Sequence, residues 1–242
     1  MNLKIIYRST TVWNLILFVL LSYVFLYVQD CIFLGKSAVE LAQLKSFVLS
    51  SKDLLAAVAV VIMLVYRVKK ISKWTFILLV IAITANISQS LLQDFNKLVL
   101  TMLFLFLIFS YYFFLTLVSE LNKSSLNPNF DSDELFEPML HRLKVSILKG
   151  DSSFVGYLTN WDENSCFVVL DSDFSEKLSG GHIEIELDYE GHRFRQSGKI
   201  STVIYNKGVG INFLSSSSEE VSGWSEYFDL ISDLGYTMEH LK

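Results

Sequence analysis

The sequence predicts a membrane α-helical protein with four transmembrane helices, followed by an all-β, six-stranded barrel with a C-terminal helix. Three observations carry that expectation. Long apolar stretches fill the first half of the chain and stop near Val118. Short alternating runs, broken by Gly, Asp, Asn and Ser, occupy residues 145–213. Charge divides at the same boundary: residues 1–118 hold 10 Lys/Arg against 4 Asp/Glu, while residues 119–242 hold 10 against 21. A transmembrane domain over 1–118, a linker over 119–131 and a barrel domain over 132–242 follow.

The apolar stretches are residues 11–28, 54–68, 74–92 and 98–118. A bilayer core about 30 Å thick needs roughly 20 mostly apolar residues per helix, and each stretch approaches or meets that length. None has a charge near its centre, where Asp, Lys or Arg costs about 2.5–3.5 kcal/mol. A soluble bundle helix would keep a polar face at helical spacing. The run LVLTMLFLFLIFSYYFFLTLV has none.

Orientation follows from the short connections. Arg67, Lys69, Lys70 and Lys73 crowd the link between the second and third stretches, and Lys4 and Arg8 precede the first. The positive-inside rule puts both on the cytoplasmic side. Four crossings then return the chain to the cytoplasm, so both termini of a multi-pass membrane protein are expected there. Lys4 and Arg8 before an apolar run also resemble a signal peptide, but no small-residue cleavage site follows, so an uncleaved first helix is expected.

Residues 29–53 are more than a plain outer loop. Ile32, Phe33, Val39, Leu41, Leu44, Phe47 and Val48 recur at rough helical spacing among Lys, Glu and Gln. That pattern predicts an amphipathic helix on the outer surface or an early start to the second span. Asn86, Gln89 and Gln93 share one face of the third helix and are expected to turn toward other helices or another protomer. The spanning stretches contain no buried ionisable residue to carry ions or protons, which argues against transport. The partners expected of this half are the lipid bilayer and a protein, either another species or a second copy docked through the helices.

Pro128 blocks helix continuation in the polar linker. Residues 131–141 have helical character, with acidic residues in the first turn. The six expected strands are 145–148, 154–158, 166–170, 182–187, 198–205 and 208–213. Phe154, Tyr157, Phe167, Val169, Ile183, Ile185, Ile200, Ile211 and Phe213 are the expected core. Gly208 and Gly210 mark a close approach of backbone. The Ser215 to Glu220 tract has the composition of a helix N-terminus, and Val221, Trp224, Tyr227, Phe228 and Ile231 continue at helical spacing as an apolar stripe over a barrel opening.

Several function classes lack support. The acidic second half is a poor partner for nucleic acid polymers, whose binding rests on neutralising phosphates. Cys31 and Cys166 fall on opposite sides of the membrane, and His141, His182, His192 and His240 lie apart, so no metal site is expected. No phosphate loop, nucleophile elbow or metalloprotease motif occurs, and neither a cofactor nor an enzymatic activity is expected.

Two segments carry a family likeness: GYLTNWDENSCFV at 156–168, and GKIS with GVGINF at 198–201 and 208–213. With six strands, a preceding basic segment and a closing helix, residues 136–230 resemble the PilZ domain, a bacterial receptor module for cyclic di-GMP. The family's D/N-x-S-x-x-G falls on Asn160, Asp162 and Ser165, and its R-x-x-x-R falls on Pro138 and Arg142. The resemblance implies a ligand site at Arg142, Asn160, Asp162 and Ser165, with Lys144 as a further cationic contact. It also implies roles such as tuning motility, pili, surface attachment or polysaccharide export. One arginine is missing, and Asp162 adds negative charge where phosphate would sit. A planar guanidinium is hard to replace in that work. The expected function is therefore a signalling or adaptor protein acting through nucleotide-independent protein contacts, the alternative being a working cyclic di-GMP receptor.

Overall fold

The structure is a computed structural model and describes residues 3–126, 143–150, 152–170, 181–189, 191–204, 207–214 and 223–233. It divides into two compact units, Ser9–Leu121 and a second made of Met1–Arg8 with Asn122–Lys242.

The first unit is helical: α1 (Thr10–Leu34), α2 (Leu41–Ser50), α3 (Lys52–Tyr66), α4 (Ser72–Gln93) and α5 (Lys97–Leu121). Three of these, α1, α4 and α5, are long and apolar enough to cross a membrane; α2 and α3, bent by 79° at their junction, together make a possible fourth. By itself α3 is about 22 Å long at 1.5 Å per residue, short of a full bilayer core. It ends where Val68 takes a left-handed φ of 48°. Ser9 caps α1, its side chain accepting from the Val12 N–H, and Asn96 caps α5 through the Leu98 N–H at 2.9 Å. Such caps satisfy donors that a helix start leaves free.

Inside this unit Leu15, Val19, Ile83 and Val99 are fully buried, and Phe18 stacks on Phe113 with ring centres 4.3 Å apart. Leu17, Leu21, Phe104 and Phe109 stand exposed, an apolar exterior suited to lipid. The amphipathic segment forms a helix, α2, whose Phe47 packs on Tyr23 and Tyr27 of α1. Of the two orientations expected for the polar face of α4, burial against the other helices is not the one adopted: within the chain Asn86, Gln89 and Gln93 are exposed. Phe76, Leu79, Ile83 and Ile87 form the buried ridge instead, and Asn86 satisfies its amide on its own helix, donating to the Ala82 carbonyl at 2.8 Å. A buried acid also appears two residues past the expected end of the last span. Glu120 is 5% exposed and accepts a hydrogen bond from Ser9 Oγ at 2.6 Å, which pairs the buried carboxylate.

The second unit is a closed six-stranded antiparallel barrel with one added strand. Its strands are β1 (Leu3–Ile5), β2 (Lys144–Lys149), β3 (Ser152–Asp162), β4 (Ser165–Leu170), β5 (His182–Tyr189), β6 (His192–Ile204) and β7 (Gly208–Phe213). The order is β1-β6-β5-β2-β3-β4-β7, and pairing of β6 with β7 closes the ring. All six expected strands are present. The addition is β1, which pairs with β6 in the register Leu3↔Ile204, Lys4↔Val203 and Ile5↔Thr202. The strand expected from Gly198 starts earlier, at His192, because Phe194 and Gln196 continue the inward alternation.

Three of the four residues expected in the core from β3 and β4 have the opposite phase. Leu158, Trp161, Cys166 and Val168 point into the core, whereas Tyr157 and Val169 are half-buried. Phe167 is buried outside the core cluster. Phe154 and Tyr157 are three residues apart, so a period of two puts them on opposite faces; the register shift between Leu158 and Asn160 lies beyond both and lets Leu158 and Trp161 face inward together. Within CFVVL every residue is apolar, so alternation does not fix which face turns inward. Ile183, Ile185, Ile200 and Ile211 are in the core as expected, and Phe154 and Phe213 pack against its edge.

The closing helix α6 (Trp224–Asp233) buries Trp224, Tyr227 and Ile231 in the barrel core. Gln196 holds its start, accepting from the Trp224 N–H at 3.2 Å and donating to the Leu214 carbonyl at 2.6 Å. The helix expected at 131–141 and the serine tract before Glu219 lie outside the described residues.

Candidate functional site

The β3–β4 hairpin brings Asn160, Asp162 and Ser165 to the outer face of the barrel. Asp162 pairs with Ser165, and Asn160 with Phe167, in phase opposite to the inward Trp161 and Cys166. Asp162 shapes the turn itself. Its Oδ1 accepts from the Asn164 N–H at 2.8 Å, and its Oδ2 accepts from Ser165 Oγ at 2.6 Å. A short acid accepting from the amide two residues on is a local substitute for a backbone turn. The Asp162 carbonyl accepts from Trp224 Nε1 at 2.9 Å, which ties the hairpin to α6.

That outer face is covered by the chain's own linker. A single 3₁₀ turn, Ser124–Leu126, lies on it. The Ser124 N–H donates to Asp162 Oδ2 at 2.8 Å, and Ser124 Oγ donates to Asn160 Oδ1 at 3.3 Å. The Ser125 N–H donates to Ser165 Oγ at 3.2 Å, and Ser125 Oγ donates to Asn212 Oδ1 at 2.8 Å. Thr202 Oγ1 donates to the Ser125 carbonyl. Ser124, Ser125, Asn160, Ser165 and Thr202 are all buried. Three of the residues named from sequence therefore act together, and what they hold is a piece of this chain.

The floor of the seat is Gly210. A Cβ built there would stand 2.0 Å from the Ser125 carbonyl oxygen and 2.2 Å from Thr202 Oγ1. No side chain fits such a gap, so the close backbone approach expected at this glycine is the contact with the linker turn. Behind the site, burial pushes the Cys166 thiol well above its ordinary pKa, and Asp162 adds to the effect. A buried thiol of that kind is inert.

Lys144 stands exposed at the start of β2, opposite Tyr157, and makes no bond to this cluster. Arg142 and Pro138 lie outside the described residues. The residues absent from the sequence expectation are Ser124, Ser125, Thr202 and Asn212. Their sequence signal is weak, because two serines before Pro128 read as an ordinary polar linker.

The N-terminal segment docks on the same unit. Beyond β1, the Ile6 N–H donates to the Ser201 carbonyl at 2.8 Å, and Lys199 Nζ sits 3.6 Å from the centre of the Tyr7 ring. An ammonium over an aromatic face is worth about 0.5–1 kcal/mol at an exposed site.

No protein-family model matches the chain, and no curated protein matches it.

Proposed function

We propose that this chain is a membrane-anchored adaptor of a bacterial inner membrane whose cytoplasmic barrel is a degenerate PilZ-like module. It works through protein contacts, with no enzymatic step and no dependence on cyclic di-GMP. The observation that carries this reading is the seating of Ser124 and Ser125 on Asn160, Asp162 and Ser165. A nucleotide entering there would have to displace a turn whose polar groups are paired. Its phosphates would then meet the Asp162 carboxylate. The signalling outputs suggested by the resemblance, such as motility, pili or surface behaviour, remain the pathways to examine first.

Calorimetry of the full chain in nanodiscs tests it. Titration with cyclic di-GMP should give no saturable heat. The double variant Pro138→Arg with Asp162→Ser supplies the missing guanidinium and removes the acid. It should gain binding by about 10- to 150-fold, the equivalent of one charged hydrogen bond at ~1.5–3 kcal/mol. A melting curve of the variant checks its fold. Tight binding by the unmodified chain, abolished by Arg142→Ala, would overturn the proposal in favour of a receptor.

The pairing of β1 with β6 supports placing both ends of the helical unit on one side of the membrane, and the basic link over residues 67–73 makes that side the cytoplasm. A strand and its partner must lie on one side of a membrane, so an even number of crossings separates Arg8 from Asn122. With three or four candidate spans, four is the even number. Lys45→Cys, on α2, should therefore react with an impermeant maleimide in intact cells. Lys70→Cys should react only after permeabilisation, and the reverse pattern would invert the orientation.

A further inference from the structure

We propose that the end of the helical unit formed by the last turns of α1, the α2–α3 bend and the second half of α4 binds an organic ammonium compound with an apolar body. The inference rests on the helical unit alone and does not depend on what the barrel does.

The cavity there measures about 560 Å³, inside the ~300–1,000 Å³ range of small-molecule sites. Asp30 and Asp53 line it, and no Lys, Arg or His does. Gln29 lines it as well. That side chain is 1% exposed, and neither amide atom has a hydrogen-bond partner. Buried polar groups are nearly always paired, and an unpaired amide costs stability. A side chain that bears this cost at the wall of a cavity is suited to a partner from outside the chain. Asn86 adds a second carboxamide to the same lining.

The chemistry of the lining selects the ligand. Two carboxylates and the Gln29 Oε1 accept hydrogen bonds, which suits a donor-rich cation. Phe33 and Phe47 complete the wall, and aromatic faces attract ammonium groups as well as apolar chains. A metal ion suits the site less well. No group of three or more His, Cys, Asp or Glu is gathered among the described residues, whereas Ca²⁺ takes about 6–8 oxygen ligands. The ammonium has two possible sources, a free amine or a lipid headgroup.

The test is calorimetry of the full chain in dodecyl maltoside, an uncharged detergent, with hexane-1,6-diamine, hexylamine and hexan-1-ol. Saturable binding of the amines, but not of the alcohol, is expected. The Asp30→Asn/Asp53→Asn variant should weaken it at least tenfold. Gln29→Leu separates a ligand-facing amide from a structural one: it should weaken amine binding about tenfold while raising the melting temperature. Adding phosphatidylethanolamine, with phosphatidylglycerol as control, identifies the source. Competition by the former alone assigns the site to a headgroup, and no competition assigns it to a free amine. Equal binding of hexan-1-ol, no saturable binding of either amine, or unchanged affinity in the doubly substituted chain overturns the proposal. So does a Gln29→Leu chain that melts lower and binds amines as before, which would make that amide a structural group served by water.

Discussion

Replacing Gly210 with alanine should expel Ser124 and Ser125 from the barrel face while leaving the strands beneath them paired. The new methyl would stand 2.0 Å from the Ser125 carbonyl oxygen and 2.8 Å from its carbonyl carbon. Both are backbone atoms and cannot rotate away. The cheapest relief moves the turn, because Gly210 itself is held between β4 and β6 through pairing with Phe167 and Thr202. Overpacking of this kind costs about 1–3 kcal/mol, and the turn's hydrogen bonds to Asp162, Asn160, Ser165, Asn212 and Thr202 are lost with it. Hydrogen exchange reads the result locally. Amide protection at 124–126 should collapse while β5 and β6 keep theirs. Uniform loss across the barrel would place the damage in the sheet, and unchanged protection at Ser125 would refute the seat.

The second large effect is expected at Asp162. One carboxylate accepts from the Ser124 N–H, the Asn164 N–H and Ser165 Oγ. Hydrogen bonds to a charged group contribute about 1.5–3 kcal/mol, and a buried donor left alone adds its own penalty of about 1–3 kcal/mol. Asp162→Ala should therefore lower the stability of the barrel by ~3 kcal/mol in denaturant titrations and release the linker turn. Asp162→Asn keeps one acceptor oxygen for the hairpin, so a smaller loss is expected. An alanine variant as stable as the parent would mean that the turn contributes nothing. Equal losses for Asn and Ala would show that charge, and not acceptor geometry, holds the hairpin.

The elements that repeat a period were legible in the sequence. The apolar stretches gave the long helices, and Ile183-Glu-Ile-Glu-Leu gave β5 with its faces correctly assigned. The elements decided by contacts far apart in the chain were not. Leu3–Ile5 is three residues of strand before a membrane helix, too short to carry a period. Its partner strand lies on the far side of five helices in the sequence. In β4 an unbroken apolar run hid the phase, and in β3 Phe154 and Tyr157, three residues apart, cannot share one face. At the candidate site, Asn160, Asp162 and Ser165 were named from a motif and do converge. What they converge on was hidden, because Ser124 and Ser125 have no signature beyond polarity. Gly210 was the one legible clue: a glycine in a strand marks something passing close by.

The N-terminal strand has a consequence for how the protein is made. Residues 3–5 leave the ribosome well before the strand that receives them, β6, which begins only at His192. At about 5–20 residues per second, some 10–40 s of translation separate the two. All five helices are synthesised within that interval, so packing of the helical unit can run ahead of the barrel's last pairing. Loop closure over so long a stretch of chain is slow when the chain is free. Packing of Ser9–Leu121 into one unit shortens the search, because Ser9 and Glu120 are hydrogen-bonded within it. On this order of events Leu3–Ile5, made long before its partner strand, is among the last segments to find its place.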